Sequence, residues 1–178
     1  MKKVLIVWWT LTKVVVAVFL VGWFALLLRR YDHLFGIVLP AWSKVPGFIF
    51  LGVGGFFILL CGGLLGAQGF GTPGNRFFPK EFIVFGPFRY VRNPMSLGAI
   101  TSMFGLGLIH RSPSILLLAL ILAGAIHLIV IYIEEPGLEK RFGESYLHYR
   151  QSVNRWLPEL TANDNSRQRL NRAGESAG

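Results

Sequence analysis

Three groups of polar residues stand at the ends of otherwise apolar runs, and their side-chain types suit recognition of a small charged ligand. The first lies in Gly86-Pro87-Phe88-Arg89-Tyr90-Val91-Arg92-Asn93-Pro94-Met95-Ser96-Leu97-Gly98, the second is Glu134-Glu135, and the third comprises Tyr146, Tyr149 and Arg155. Adjacent carboxylates at the end of an apolar segment are costly unless they are solvated, paired or bound to a cation. Arg89 and Arg92 can pair with them, or can hold a carboxylate or phosphate through two parallel N–H donors. Asn93 and Ser96 add neutral donors and acceptors, and Gly98 permits close approach of a ligand or a backbone. A ligand with an ammonium, a carboxylate and a flat aromatic base matches this set; S-adenosylmethionine is one. The competing reading is structural. Arginines at the ends of apolar segments commonly anchor topology, and Glu134-Glu135 is then an ordinary solvated helix end.

The elements that must position these groups are membrane helices. The chain has 178 residues, which suggests one domain with a tail. Hydrophobic residues make up 53% and charged residues only 15%, with a mean hydropathy of +0.52. Soluble domains carry roughly 25% charged residues, so an ordinary soluble enzyme is disfavoured, and global disorder is excluded. Apolar runs at 4–28, 47–66, 95–109 and 114–133 read as four spans. The last two are short and joined by His110-Arg111-Ser112-Pro113, so they form a helical hairpin. That hairpin brings Arg92–Ser96 close to Glu134-Glu135. Residues 137–153 place Leu138, Phe142, Tyr146, Tyr149 and Val153 at helical spacing, giving an amphipathic helix able to fold over the mouth. Residues 159–178 are polar and basic and read as a disordered tail. Gly62 and Gly66 have small-xxx-small spacing, which suits close helix packing inside the chain or in a dimer.

The fold expected is therefore all-α and integral to the membrane, with about four transmembrane helices plus a C-terminal amphipathic cytoplasmic helix, in one domain over 1–158. Thirteen of the 18 Lys+Arg fall on the side holding both termini and the 67–94 loop. The positive-inside rule puts that side in the cytoplasm, the bacterial inner membrane if the source is prokaryotic. The net charge of +9 fits anionic lipid better than nucleic acid, because the basic residues flank apolar runs. Cys61 is the single cysteine, and no Cys/His cluster has metal spacing.

The stretch Gly86–Gly98, the pair Glu134-Glu135 and the pattern Phe142-Gly143, Tyr146, Tyr149, Val153, Arg155, Pro158 resemble the isoprenylcysteine carboxyl methyltransferase / phospholipid methyltransferase superfamily. Gly71-Thr72-Pro73 followed by Pro79-Lys80 resembles a lead-in of its bacterial members. The resemblance spans about residues 67–158. It implies an integral-membrane methyltransferase that uses S-adenosylmethionine at a cytoplasmic mouth capped by the C-terminal helix. A family pattern Arg-His-Pro-x-Tyr-x-Gly maps onto Arg92, Asn93, Pro94, Ser96 and Gly98. Asn93 replaces a common His and cannot titrate near neutral pH; Ser96 replaces a usual Tyr and loses an aromatic wall. By this mapping Arg92, Asn93, Pro94, Ser96, Gly98, Glu134, Glu135 and Tyr146 bind the cofactor, with the Glu pair facing its ammonium group.

Methyl transfer from a sulfonium requires positioning and electrostatics but neither a metal nor a covalent nucleophile. Glu135, Arg89 and Arg155 are the candidate catalytic residues: Glu135 as proton acceptor for an amine or thiol, the arginines to orient an anionic acceptor or the cofactor carboxylate. Tyr149 and His127 read more simply as packing and as a hydrogen-bonded buried histidine. The acceptor expected is a lipophile from the bilayer: an isoprenylcysteine-like carboxylate, a thiol or a phospholipid amine. Two alternatives are a non-catalytic membrane scaffold retaining the fold and, ranked lower, a NADPH-dependent membrane reductase, whose chains are normally much longer.

Overall fold

The computed structural model describes residues 12, 16, 19–67 and 84–158. Most of the first expected span, the Gly71-Thr72-Pro73 and Pro79-Lys80 motifs, and the tail lie outside the described residues. The described residues are helical with no strand: α1 (19–28), α2 (Lys44–Ala67), α3 (Pro94–His110), α4 (Pro113–Ile129), α5 (Glu135–Phe142) and α6 (Glu144–Ser152), with short 3-10 turns at Arg29–Leu34, Ala41–Ser43 and Gly86–Arg89. Two helices are long and apolar enough to cross a membrane, Ala41–Leu65 and Pro113–Phe142, while Pro94–His110 is apolar but shorter. Phe48, Phe56, Leu59, Leu120, Ile121 and Leu128 are all more than half exposed. In water such a surface would drive aggregation; in hydrocarbon it is the lipid-facing side.

α2 and α3 approach through glycines. A Cβ on Gly98 would lie 2.8 Å from the Gly54 carbonyl oxygen, and one on Gly105 would lie 2.6 Å from the Leu51 nitrogen. A Cβ on Gly54 would collide with the Gly98 carbonyl and Ser102. Backbones this close allow dispersion contacts that larger residues would prevent. The expected contact pair is different: Gly62 has open space around its Cβ position. Accordingly Gly54→Ala should lower unfolding stability by about 1–3 kcal/mol through overpacking, whereas Gly62→Ala should hold or raise it by up to about 1 kcal/mol through helix propensity. Equal effects in denaturant titrations of the two variants would contradict this packing.

At the opposite end from the Glu pair, Asp32 ties the first helical region to the hairpin. Its Oδ1 accepts from Ser112 Oγ at 2.7 Å and from Ser114 N at 3.1 Å, and Ser112 Oγ in turn accepts from Ile115 N at 3.2 Å. These bonds cap the orphan N–H groups that begin α4. Ala25 continues the attachment by packing against Met103, Ile115 and Ala119. Burial pulls the Asp32 carboxyl upward, but the bonds from Ser114 and Ser112, with the nearby Arg29, take it below its ordinary value of 3.8. A depressed carboxyl stabilises the fold above the unfolded-state value, and that contribution is lost as pH falls through the folded-state value. The acid loss of stability should therefore shrink in Asp32→Asn, measured as the difference in melting temperature between pH 7 and pH 3.

The second half of the hairpin departs from expectation in two ways. The helix of the fourth expected span continues past 133, running from Pro113 to Phe142. The Glu134-Glu135-Pro136 sequence reads as a break, yet Val130–Glu134 forms a π-turn directly ahead of Pro136. The wider turn accommodates a residue that cannot donate to the preceding carbonyl ladder. The amphipathic stretch 137–153 is likewise two helices. Gly143, at φ 55° and ψ −129°, separates α5 from α6, in a region essentially restricted to glycine.

Candidate functional site

The break at Gly143 folds α6 back so that Phe142, Tyr146, Tyr149 and Val153 form a buried cluster with Leu138 and Val84. The apolar periodicity of the segment is thus spent on the protein's own 84–93 stretch. Tyr149 hydroxyl donates to the Phe88 carbonyl at 2.7 Å, and Arg92 N donates to the Asn154 carbonyl at 2.9 Å. Burial pushes the Tyr149 hydroxyl far above its ordinary value, so it remains a neutral donor. These bonds bring three distant parts of the chain together around one carboxylate.

That carboxylate is Glu135, only 4% exposed. Its Oε1 lies 2.9 Å from Arg92 Nη1 and 2.7 Å from Arg155 Nε. Its Oε2 accepts from Arg155 Nη2 at 2.9 Å, and Arg150 Nε stands 4.0 Å away. Arg155 therefore grips Glu135 with the two-pronged geometry that only a guanidinium provides. The hydrogen bond to Glu135 raises the Arg155 guanidinium further above its ordinary value, against a smaller opposing effect of burial. Arg150 divides its charge between Glu135 and Glu139, whose Oε2 it meets at 3.3 Å. Burial, and then the negative Glu135, push the Tyr146 hydroxyl upward despite its hydrogen bond to Arg92.

The cluster carries more cation than anion around Glu135, and it leaves a donor unused. Arg92 Nε is buried and makes no hydrogen bond among the described residues, while Nη1 is held in its ion pair with Glu135. Buried donors without acceptors are expensive in a folded protein. An anionic group such as a carboxylate would satisfy this one.

The structure separates the other expected site residues. Glu135 points inward, whereas Glu134 is exposed and takes no part in these ion pairs. The expected Glu pair around an ammonium is therefore not formed: one carboxylate is fully engaged by arginines and the other faces out, because consecutive residues on a helix project about 100° apart. Arg89 is exposed and lies outside the cluster. Asn93 begins α3 without capping it through its side chain, and Ser96 is half-buried in its first turn. Gly98 meets α2 backbone. Pro94 lines an apolar groove of about 460 Å³ with Phe57, Pro87, Tyr90, Val91, Leu97 and Pro158. Groove and cluster are neighbours along the chain: Val91 of the groove precedes Arg92, and Pro158 follows Arg155 by three residues.

Two contributors were not visible as such in the sequence. Arg150 has no distinguishing spacing, and the bond from Trp156 Nε1 to His127 Nδ1, 3.0 Å, links residues 29 positions apart. Of the charged groups singled out in the sequence, Arg92, Glu135 and Arg155 lie together.

Residues 42–145 match the phospholipid methyltransferase family. The chain belongs to that family. The match covers more than half of the chain and includes α2, α3, α4 and α5, together with Arg92 and Glu135. Neither the curated proteins nor the solved structures give a significant match. Phospholipid methyltransferase membership accords with the apolar helices and points to a membrane protein with methyltransferase activity. The match takes in Arg92, Glu135 and most of the groove lining, while Tyr146, Arg150, Arg155 and Pro158 follow its end.

Proposed function

We propose that this protein is an integral-membrane methyltransferase that uses S-adenosylmethionine and acts on a lipophilic acceptor drawn from the bilayer. The observation that carries this reading is the juxtaposition of an arginine-rich, partly unsatisfied polar cluster with an apolar groove across the 87–94 segment. The unused Arg92 Nε fits the carboxylate of the cofactor's amino-acid part, with Tyr146 beside it and Glu135 holding the guanidiniums in place. Bound there, S-adenosylmethionine supplies a methyl group on a positively charged sulfur.

Glu135 acts in this reading as a positioning residue, because guanidinium donors sit on both its oxygens and stabilise its charged form. An acceptor that needs no base at the site, such as a carboxylate, suits this arrangement best. The groove receives the apolar chain of the acceptor, which reaches it from lipid without crossing water. Arg89, exposed on the turn that carries Pro87, is available to orient an anionic acceptor. The remaining expected binding residues, Asn93, Ser96 and Gly98, serve the backbone geometry at the start of α3. The distribution of basic residues favours a cytoplasmic site, with four spans and both termini on that side.

The test is transfer from methyl-labelled S-adenosylmethionine into total lipid extract by the purified protein in nanodiscs, followed by identification of the labelled product. Label in one lipid class, lost in Arg92→Met, supports the reading. Absence of both transfer and cofactor binding at millimolar concentration would favour a non-catalytic scaffold, and binding of NADPH instead would favour a reductase.

A further inference from the structure

The chain after α6 returns along the side of α4 and is held at successive points. Asn154 carbonyl accepts from Arg92 N, Arg155 clasps Glu135, and Trp156 Nε1 donates to His127 Nδ1 at 3.0 Å with the two rings 5.9 Å apart. Arg155 and Trp156 are adjacent, yet they grip the hairpin helix at residues eight positions apart, about 12 Å along its axis. One attachment would leave the strap free to pivot about Glu135; two attachments fix its direction as well. The helix is built for both. Eight residues of regular α-helix would turn Glu135 about 80° away from His127. The π-turn at Val130–Glu134 lies between them, and its added residue takes most of that rotation back.

We propose that His127 is a positioning residue: by accepting the Trp156 indole N–H it holds the 153–158 strap so that the Arg155 guanidinium is delivered to the ligand site, with the π-turn setting the two grips in register. Its functional half rests on the reading of the arginine cluster as the cofactor site; its structural half does not. A histidine that merely satisfies its own polarity would act on stability independently of Arg155. A latch acts through Arg155 and through the Arg92 amide that the strap accepts from.

The experiment uses the full chain in nanodiscs with His127→Phe, Trp156→Phe, His127→Gln, Arg155→Ala and the His127→Phe/Arg155→Ala double variant. Trp156→Phe removes the donor from outside the span and guards against loss of folding in His127→Phe. Amide exchange at Arg92 and across 153–157 should speed up about tenfold in both single latch variants, as expected for local release of a strap. His127→Gln, which keeps an acceptor, should stay within about threefold of the parent. S-adenosylmethionine affinity by calorimetry should fall about tenfold in His127→Phe and show no further loss when that change is added to Arg155→Ala, since residues acting through one another are not additive. Unchanged Arg92 exchange in both latch variants, or binding losses that multiply in the double variant, would overturn the proposal. If the parent protein binds no S-adenosylmethionine, the cofactor reading fails, and the exchange results alone decide whether the latch exists.

Discussion

Glu135→Ala is expected to lower the unfolding stability of the protein by about 3–5 kcal/mol, the usual penalty for leaving buried charge without its partner. The carboxylate is 4% exposed and sits between Arg92 and Arg155, with Arg150 4.0 Å away. Removing it leaves the Arg92 guanidinium, whose side chain is only 11% exposed, facing other cations. Glu135→Gln keeps an oxygen acceptor but loses the charge, so its effect should be intermediate. Both should abolish cofactor binding, because the guanidiniums then repel one another away from the site. Denaturant titration in micelles measures the first effect and calorimetry the second. An Ala variant as stable as the parent would mean that the arginines do not depend on Glu135, and the description of the cluster would be wrong.

Arg92→Met should separate binding from folding. Arg92 Nε is a buried donor that makes no hydrogen bond among the described residues, and such a donor costs about 1–3 kcal/mol. Replacing the guanidinium by an apolar chain of similar length removes that penalty along with one ion pair to Glu135, which keeps its two bonds from Arg155. The net change in stability should stay within about 1 kcal/mol, a difference between opposing effects of that order. S-adenosylmethionine affinity should fall at least about 100-fold, or about 2.7 kcal/mol, as one charge-assisted pair is lost. A variant that binds as tightly as the parent would remove Arg92 from the site, and a variant that unfolds would make the cluster structural rather than functional.

Particular residues mark how far the sequence reaches. The apolar runs at 47–66 and 114–133 announced helices because twenty uncharged residues have few other ways to satisfy their backbone in lipid. Pro113 and Ser112 begin α4 in the structure, where proline suits the first turn and serine caps it. Small-residue spacing at Gly62 and Gly66 says only that a helix face can be approached closely; within the chain it is Gly54 and Gly98 that meet. Glu134-Glu135-Pro136 reads locally as a helix end, and only the accommodation of Pro136 by a π-turn makes the helix continuous.

The sequence by itself determined that this is a helical protein with helices apolar enough for a membrane, because hydropathy is a local property of a chain. The tertiary structure decided which of its polar groups meet. It turned Glu135 inward and Glu134 outward, gave Glu135 to Arg92 and Arg155, and bound Trp156 to His127, since each of these pairings depends on the rotation of α4 through its π-turn and on the fold-back at Gly143. Ion pairs and hydrogen bonds reach only a few ångströms, so a displacement of one residue along a helix, which rotates a side chain by about 100°, is enough to exchange one partner for another.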